Sequence, residues 1–98
     1  MFGFFKVNED LFFEELLKDD MDIDKIEKYI NKGVNINKKD EKGQTILFSL
    51  AAKRKLEALK ILIKNGANLT LEDLHRKTIL DEAVDRNDGM MIRFLLDN

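Results

Sequence analysis

His75 is the sole imidazole in a chain of 98 residues that has no cysteine. That leaves few ways to assemble a metal centre or a nucleophilic site. Asp73 stands two residues before it, yet no third ligand lies at a sensible spacing, so no metal is expected. Glu14, Glu15, Asp19 and Asp20 are carboxylates of the kind that general acid–base chemistry pairs. On a densely charged helix, however, such acids read as a solvated face. The chain contains neither a glycine-rich phosphate loop nor a GxSxG elbow. These residues point to a protein that is not an enzyme and needs no cofactor.

What positions them is helical. Zero Pro and five Gly argue against a many-turned β protein. With 44% apolar and 37% charged residues and a mean hydropathy of -0.34, the chain is expected to be one folded, soluble domain. No run reaches the eighteen or so apolar residues of a membrane helix, so no membrane is expected. The opening MFGFFKV is apolar but has no positive leader or small-residue cleavage site, and with no cysteine the cytoplasm is the expected compartment.

Charge is near balance at -2 but falls in blocks. Nine acids face two lysines over residues 9–27, ten bases face three acids over 28–64, and seven acids face four bases over 65–98. A sequence pI of about 5.4 does not suit a nucleic-acid binder. The blocks read as solvated helix faces, and the basic one could steer an acidic protein partner.

An internal repeat organises the chain. Gly33, Asn35, Asp40, Thr45, Ile46 and Leu47 recur as Gly66, Asn68, Asp73, Thr78, Ile79 and Leu80, each pair 33 residues apart. At the same offset Ile23, Ile26, Tyr29 and Ile30 match Leu56, Leu59, Leu62 and Ile63, and Ile92, Leu95 and Leu96 continue the pattern. The units expected are 8–37, 38–70 and 71–98, with 1–7 as an N-terminal apolar cap. Each reads as two short helices and a turn. Asn8 caps a helix over about 9–18, with Glu9 and Asp10 in its first turn. Thr45 caps a helix over about 46–53, and Leu56, Leu59, Leu62 and Ile63 stripe the next one. Asn65-Gly66 ends that helix, Gly66 taking the left-handed conformation. Thr78 and Asp81 form a near capping box.

The segments TILFSLA at 45–51, LEALKILIKNGANLT at 56–70, TILDEAV at 78–84 and IEKYINKGVNIN at 26–37 resemble the ankyrin repeat. The resemblance covers nearly all of the chain after about residue 8. It departs where the family has Pro (Ile46, Ile79), His (Phe48, Asp81) and a helix-separating Gly (Met21, Arg54, Asn87). It implies an all-α solenoid of stacked helix-turn-helix units whose β-hairpin-like fingers and first helices bind a protein partner, as an adaptor or inhibitor would. Carried over by resemblance, the docking residues are Lys39, Glu41, Lys42 and Gln44 in one finger and Glu72, Leu74, His75 and Lys77 in the next. Lys53, Asp85 and Arg86 add the ends of the first helices. Leu74 and His75 are the most suggestive, since an apolar side chain and an imidazole have little structural reason to stand at a loop tip. The alternative for Leu74 is packing against the neighbouring finger.

Both ends are apolar, with Phe2, Phe4, Phe5, Phe12 and Phe13 at one and Met90, Met91, Phe94, Leu95 and Leu96 at the other. The N-terminal cluster either covers the first helix pair or forms an interface. The alternative to partner binding is self-assembly into a homo-oligomer through these ends.

Overall fold

Apolar spacing and caps divide the chain into six helices, seen in a computed structural model that describes residues 8–98. No strand occurs among the described residues, and no described helix is long and apolar enough to cross a membrane. The fold is all-α and of the helical-repeat class. Two compact units divide at Asn35 and Ile36. The segment 1–7, with Phe2, Phe4 and Phe5, lies outside the described residues.

In the first unit, α1 (Glu9–Leu17) starts at Asn8, whose side chain accepts from the Leu11 amide at 3.3 Å. Glu9 and Asp10 sit in its first turn, where the helix dipole favours anions. α1 packs on α2 (Ile23–Asn31), which is capped by Asp22. Phe12, Leu16 and Ile26 are fully buried between them, and the Phe12 ring lies 5.6 Å from that of Tyr29. Glu14, Asp19 and Asp20 are exposed, as a solvated face requires, but Glu15 is buried and corrects that expectation. Its Oε2 accepts from the Asp22 amide at 2.8 Å and its Oε1 from the Lys18 ammonium at 3.1 Å. The carboxylate therefore ties the last turn of α1 to the start of α2. The Asp22 amide, followed by Lys18, holds its pKa below the ordinary value.

The second unit holds α3 (Ile46–Ala52), α4 (Leu56–Lys64), α5 (Ile79–Asp85) and α6 (Gly89–Leu96). α3 packs on α4, α5 on α6, and α3 on α5, giving two helical layers. Leu47, Leu50, Leu59, Leu62, Ile79 and Met91 form the core. Gly33 after α2 and Gly66 after α4 hold equivalent corners, with φ of 85° and 91°. In both, the residue after Gly donates back into the helix, Val34 to the Tyr29 carbonyl and Ala67 to that of Leu62.

The corner between paired helices uses the same closure without Gly. Arg54 and Asn87 are left-handed, with φ of 58° and 56°, at the two places where the repeat family has Gly. Lys55 then donates to the Leu50 carbonyl at 2.8 Å and Asp88 to that of Ala83 at 3.0 Å. Each layer is thus closed by a strained residue that local hydrogen bonds hold in place. Met21 is not left-handed.

Thr45 and Thr78 occupy equivalent N-cap positions with matching backbone angles but behave differently. Thr78 accepts from the Asp81 amide at 3.2 Å, and Asp81 Oδ2 accepts from the Thr78 amide at 2.9 Å. At the same place in α3 stands Phe48, which has no polar atom to reciprocate. The Thr45 hydroxyl is buried with no partner, so the expected side-chain cap does not form there.

Candidate partner-docking surface

Two loops of the second unit, residues 36–45 and 69–78, carry most of the expected docking residues. Each is folded by one aspartate. Asp40 Oδ1 accepts from the amides of Lys42 and Gln44 at 2.8 and 3.0 Å. Asp73 Oδ1 accepts from those of His75 and Lys77 at the same two distances. A backbone bond closes each finger, from Asp40 to the Gln44 carbonyl and from Asp73 to that of Lys77, both 2.9 Å. Short polar side chains bonded to nearby amides replace a strand ladder here, which is why the fingers are turns.

The fingers are bonded to one another. The Leu74 amide donates to the Lys42 carbonyl at 3.0 Å, Lys39 Nζ to the Glu72 carbonyl at 2.9 Å, and the Asn68 amide to Asn37 Oδ1 at 2.8 Å. Gln44 Nε2 donates to Asp73 Oδ2 at 3.3 Å. Close approach explains Gly43. Its φ is 76°, and a Cβ there would lie 3.0 Å from the Leu74 nitrogen and 3.2 Å from Asp73 backbone atoms. Asp73 is buried beneath these bonds, and the Lys77 amide, with smaller help from the His75 amide and Gln44, lowers its pKa. With three N–H donors on its oxygens, Asp73 is a hydrogen-bond hub of the finger pair. Among the described residues no three metal-binding side chains cluster.

The structure sorts the expected docking residues into two groups. Glu41, Lys42, Lys53, Glu72, Leu74, His75 and Arg86 are exposed. The rest are tied down to differing degrees: Gln44 is half-buried against Asp73, Lys39 spans to the next finger, and Lys77 pairs with Asp85, which raises the Lys77 pKa. Leu74 bonds the neighbouring finger only through its backbone, and the residue is 73% exposed. Arg76, which the sequence reading passed over, belongs to the same surface. It is exposed and left-handed, with φ of 61°, at the position equivalent to Gly43. The 33-residue offset that aligns the glycines would have singled it out. On the first helix, Ser49 and Ala52 join Lys53 at the exposed side.

The family described as ankyrin repeats, in three copies, matches residues 13–98. Alpha-latroinsectotoxin-Lt1a of Latrodectus tredecimguttatus is 30% identical over 70% of this chain, which spans 5% of that protein. An apicidin F cluster transcription factor of Gibberella fujikuroi is 33% identical over 60% of the chain and 15% of its own length. The ankyrin repeat protein FPV244 of Fowlpox virus is 25% identical over 95% of the chain and 14% of its own length. The chain thus spans a small part of each of these relatives.

Proposed function

The chain belongs to the ankyrin-repeat family, whose repeats are generally protein-interaction modules, and from that premise we propose that the finger pair and the end of α3 dock a folded protein partner. The observation that carries this reading is the contrast between backbone and side chains in the fingers. Asp40, Asp73, Gly43 and Gln44 lock the two turns together. Lys42, Leu74, His75 and Arg76 are meanwhile exposed to solvent. Ordering these loops costs little on binding because their hydrogen bonds already order them. Leu74 supplies apolar contact area and the neighbouring bases supply orientation.

Charge gives the partner a character. Around the fingers and first-helix ends the exposed bases Lys39, Lys42, Lys53, Arg76 and Arg86 outnumber the exposed acids Asp40, Glu41, Glu72 and Asp85. An acidic protein surface fits best, and its association slows as salt rises. Masking an acidic surface is how the module would serve as an adaptor or inhibitor. The test is retention of partners from a cell extract by the native chain and by a Lys42→Glu, Leu74→Ser, His75→Ala variant with an unchanged melting curve. Loss of a salt-sensitive, stoichiometric partner supports the reading. Equal retention by both chains refutes it.

A further inference from the structure

Of the eight asparagines in the chain, Asn65 alone stands before a glycine. Gly66 has no Cβ, so its amide nitrogen can approach the Asn65 carboxamide with no side chain in the way. At the matching corner of the first repeat Lys32 precedes Gly33, and Lys32 has no carboxamide. Asp88 before Gly89 has the same spacing, but a carboxylate is a poor electrophile at neutral pH. Asp88 is also engaged, its Oδ1 accepting from the Met91 amide and from Arg54, both at 3.2 Å.

Folded, the corner after α4 holds both reacting groups in other bonds. Asn65 Nδ2 donates to the Ile61 carbonyl at 2.7 Å, and the Gly66 amide to that of Ile63 at 3.1 Å. The Ala67 amide then closes the corner on the Leu62 carbonyl at 2.9 Å. Reaction needs the Gly66 nitrogen without its proton and turned onto the carboxamide, so both bonds must open first. Lys64, Asn65 and Gly66 are exposed, and exposed helix ends open locally at far less cost than the core.

We infer that Asn65 is a site of spontaneous deamidation, gated by opening of the last turn of α4, and that its isoaspartyl product loosens the finger pair. In the opened turn hydroxide removes the Gly66 amide proton, and the nitrogen forms a bond to Asn65 Cγ. The bond from Cγ to Nδ2 breaks, and ammonia leaves with a proton from water. Water then opens the resulting ring at either carbonyl, giving aspartate or isoaspartate. In both products the Ile61 carbonyl loses its side-chain donor, and a carboxylate stands where the helix dipole favours cations. Isoaspartate also lengthens the main chain before Gly66. That moves Ala67 off the Leu62 carbonyl and carries with it Asn68, whose amide donates to Asn37 Oδ1 at 2.8 Å between the fingers.

The test holds the native chain, folded or in concentrated urea, in warm, mildly alkaline buffer beside Asn65→Lys, which copies the Lys32 corner. Peptide mass spectrometry should find Asn65 modified ahead of every other asparagine, and about tenfold or more faster in urea than folded. Hydrogen exchange should release the Gly66 amide well before that of the buried Leu59. In the isolated isoaspartyl chain the amide NMR signals of Asn37 and Asn68 should shift. Asn65→Lys should stay unmodified and keep its own signals through the same incubation. Equal rates folded and in urea, or joint exchange of Gly66 and Leu59, would overturn the gate. Earlier modification of another asparagine would overturn the site, and an isoaspartyl chain with unshifted Asn37 and Asn68 would overturn its effect on the fingers.

Discussion

Two glycines with nearly the same backbone angle make different demands, because one is crowded and the other is not. At Gly66 the φ of 91° is the whole constraint, since a Cβ would meet nothing within 4 Å. Gly66→Ala should therefore lose about 1 kcal/mol, the usual penalty for a left-handed alanine. At Gly43 the same strain comes with a Cβ at 3.0 Å from the Leu74 nitrogen. Gly43→Ala should lose roughly 2 kcal/mol or more, because the finger bond must lengthen as well. Urea denaturation at neutral pH measures both, and equal losses would mean the fingers yield freely. Gly66 was legible in the sequence through its 33-residue spacing from Gly33, but Gly43, whose counterpart is Arg76, and its crowding were not. The crowding arises from a backbone that lies 31 residues further along the chain, and no local pattern encodes it.

At the scale of the helix, N-cap residues of one type play opposite parts. Thr78 and Asp81 satisfy two orphan amides at the start of α5, and the sequence showed this because both partners lie within four residues. At Thr45 the Phe48 amide donates to the Thr45 carbonyl at 3.1 Å instead, and the buried hydroxyl is left unpaired. Replacing each threonine by valine keeps the shape and removes the hydroxyl. Thr78→Val should lose about 1 kcal/mol, the ordinary worth of a cap. Thr45→Val should be neutral or stabilising by up to about 1 kcal/mol, because it removes an unsatisfied buried polar group. Thermal unfolding of the two variants side by side reads the sign directly, and a destabilised Thr45→Val would show that its hydroxyl has a partner after all. Helix boundaries came within one residue of the apolar spacing, α1 and α3 each ending one residue early. The left-handed Arg54 was visible only as a departure from the repeat, whereas Asn87 is of a residue type that favours that conformation.

For the molecule as a whole, the response to acid reflects one buried carboxylate in each unit among the described residues. Glu15 in the first reads from the sequence as a solvated acid and Asp73 in the second as the repeat partner of Asp40, because burial by tertiary contacts leaves no mark on composition. Both are held below their ordinary values of 4.5 and 3.8 by amides they accept from. A carboxylate so lowered binds fewer protons folded than unfolded, so its contribution is full above the ordinary value and is lost as pH falls through the folded one. The native chain should keep a constant urea midpoint from pH 7 to about 5, then lose it progressively below about 4.5 as Glu15 and Asp73 take up protons. Glu15→Gln and Asp73→Asn each remove one charge while keeping the shape. Each variant should be less stable than the native chain at pH 7, and the double variant should lose least between pH 5 and pH 3. Raised salt should leave this difference in slope largely intact, because short bonds to buried carboxylates are screened far less than surface pairs such as Lys77 with Asp85. A double variant with the native acid slope would place the acid sensitivity in other carboxylates and leave these two without a special part in it.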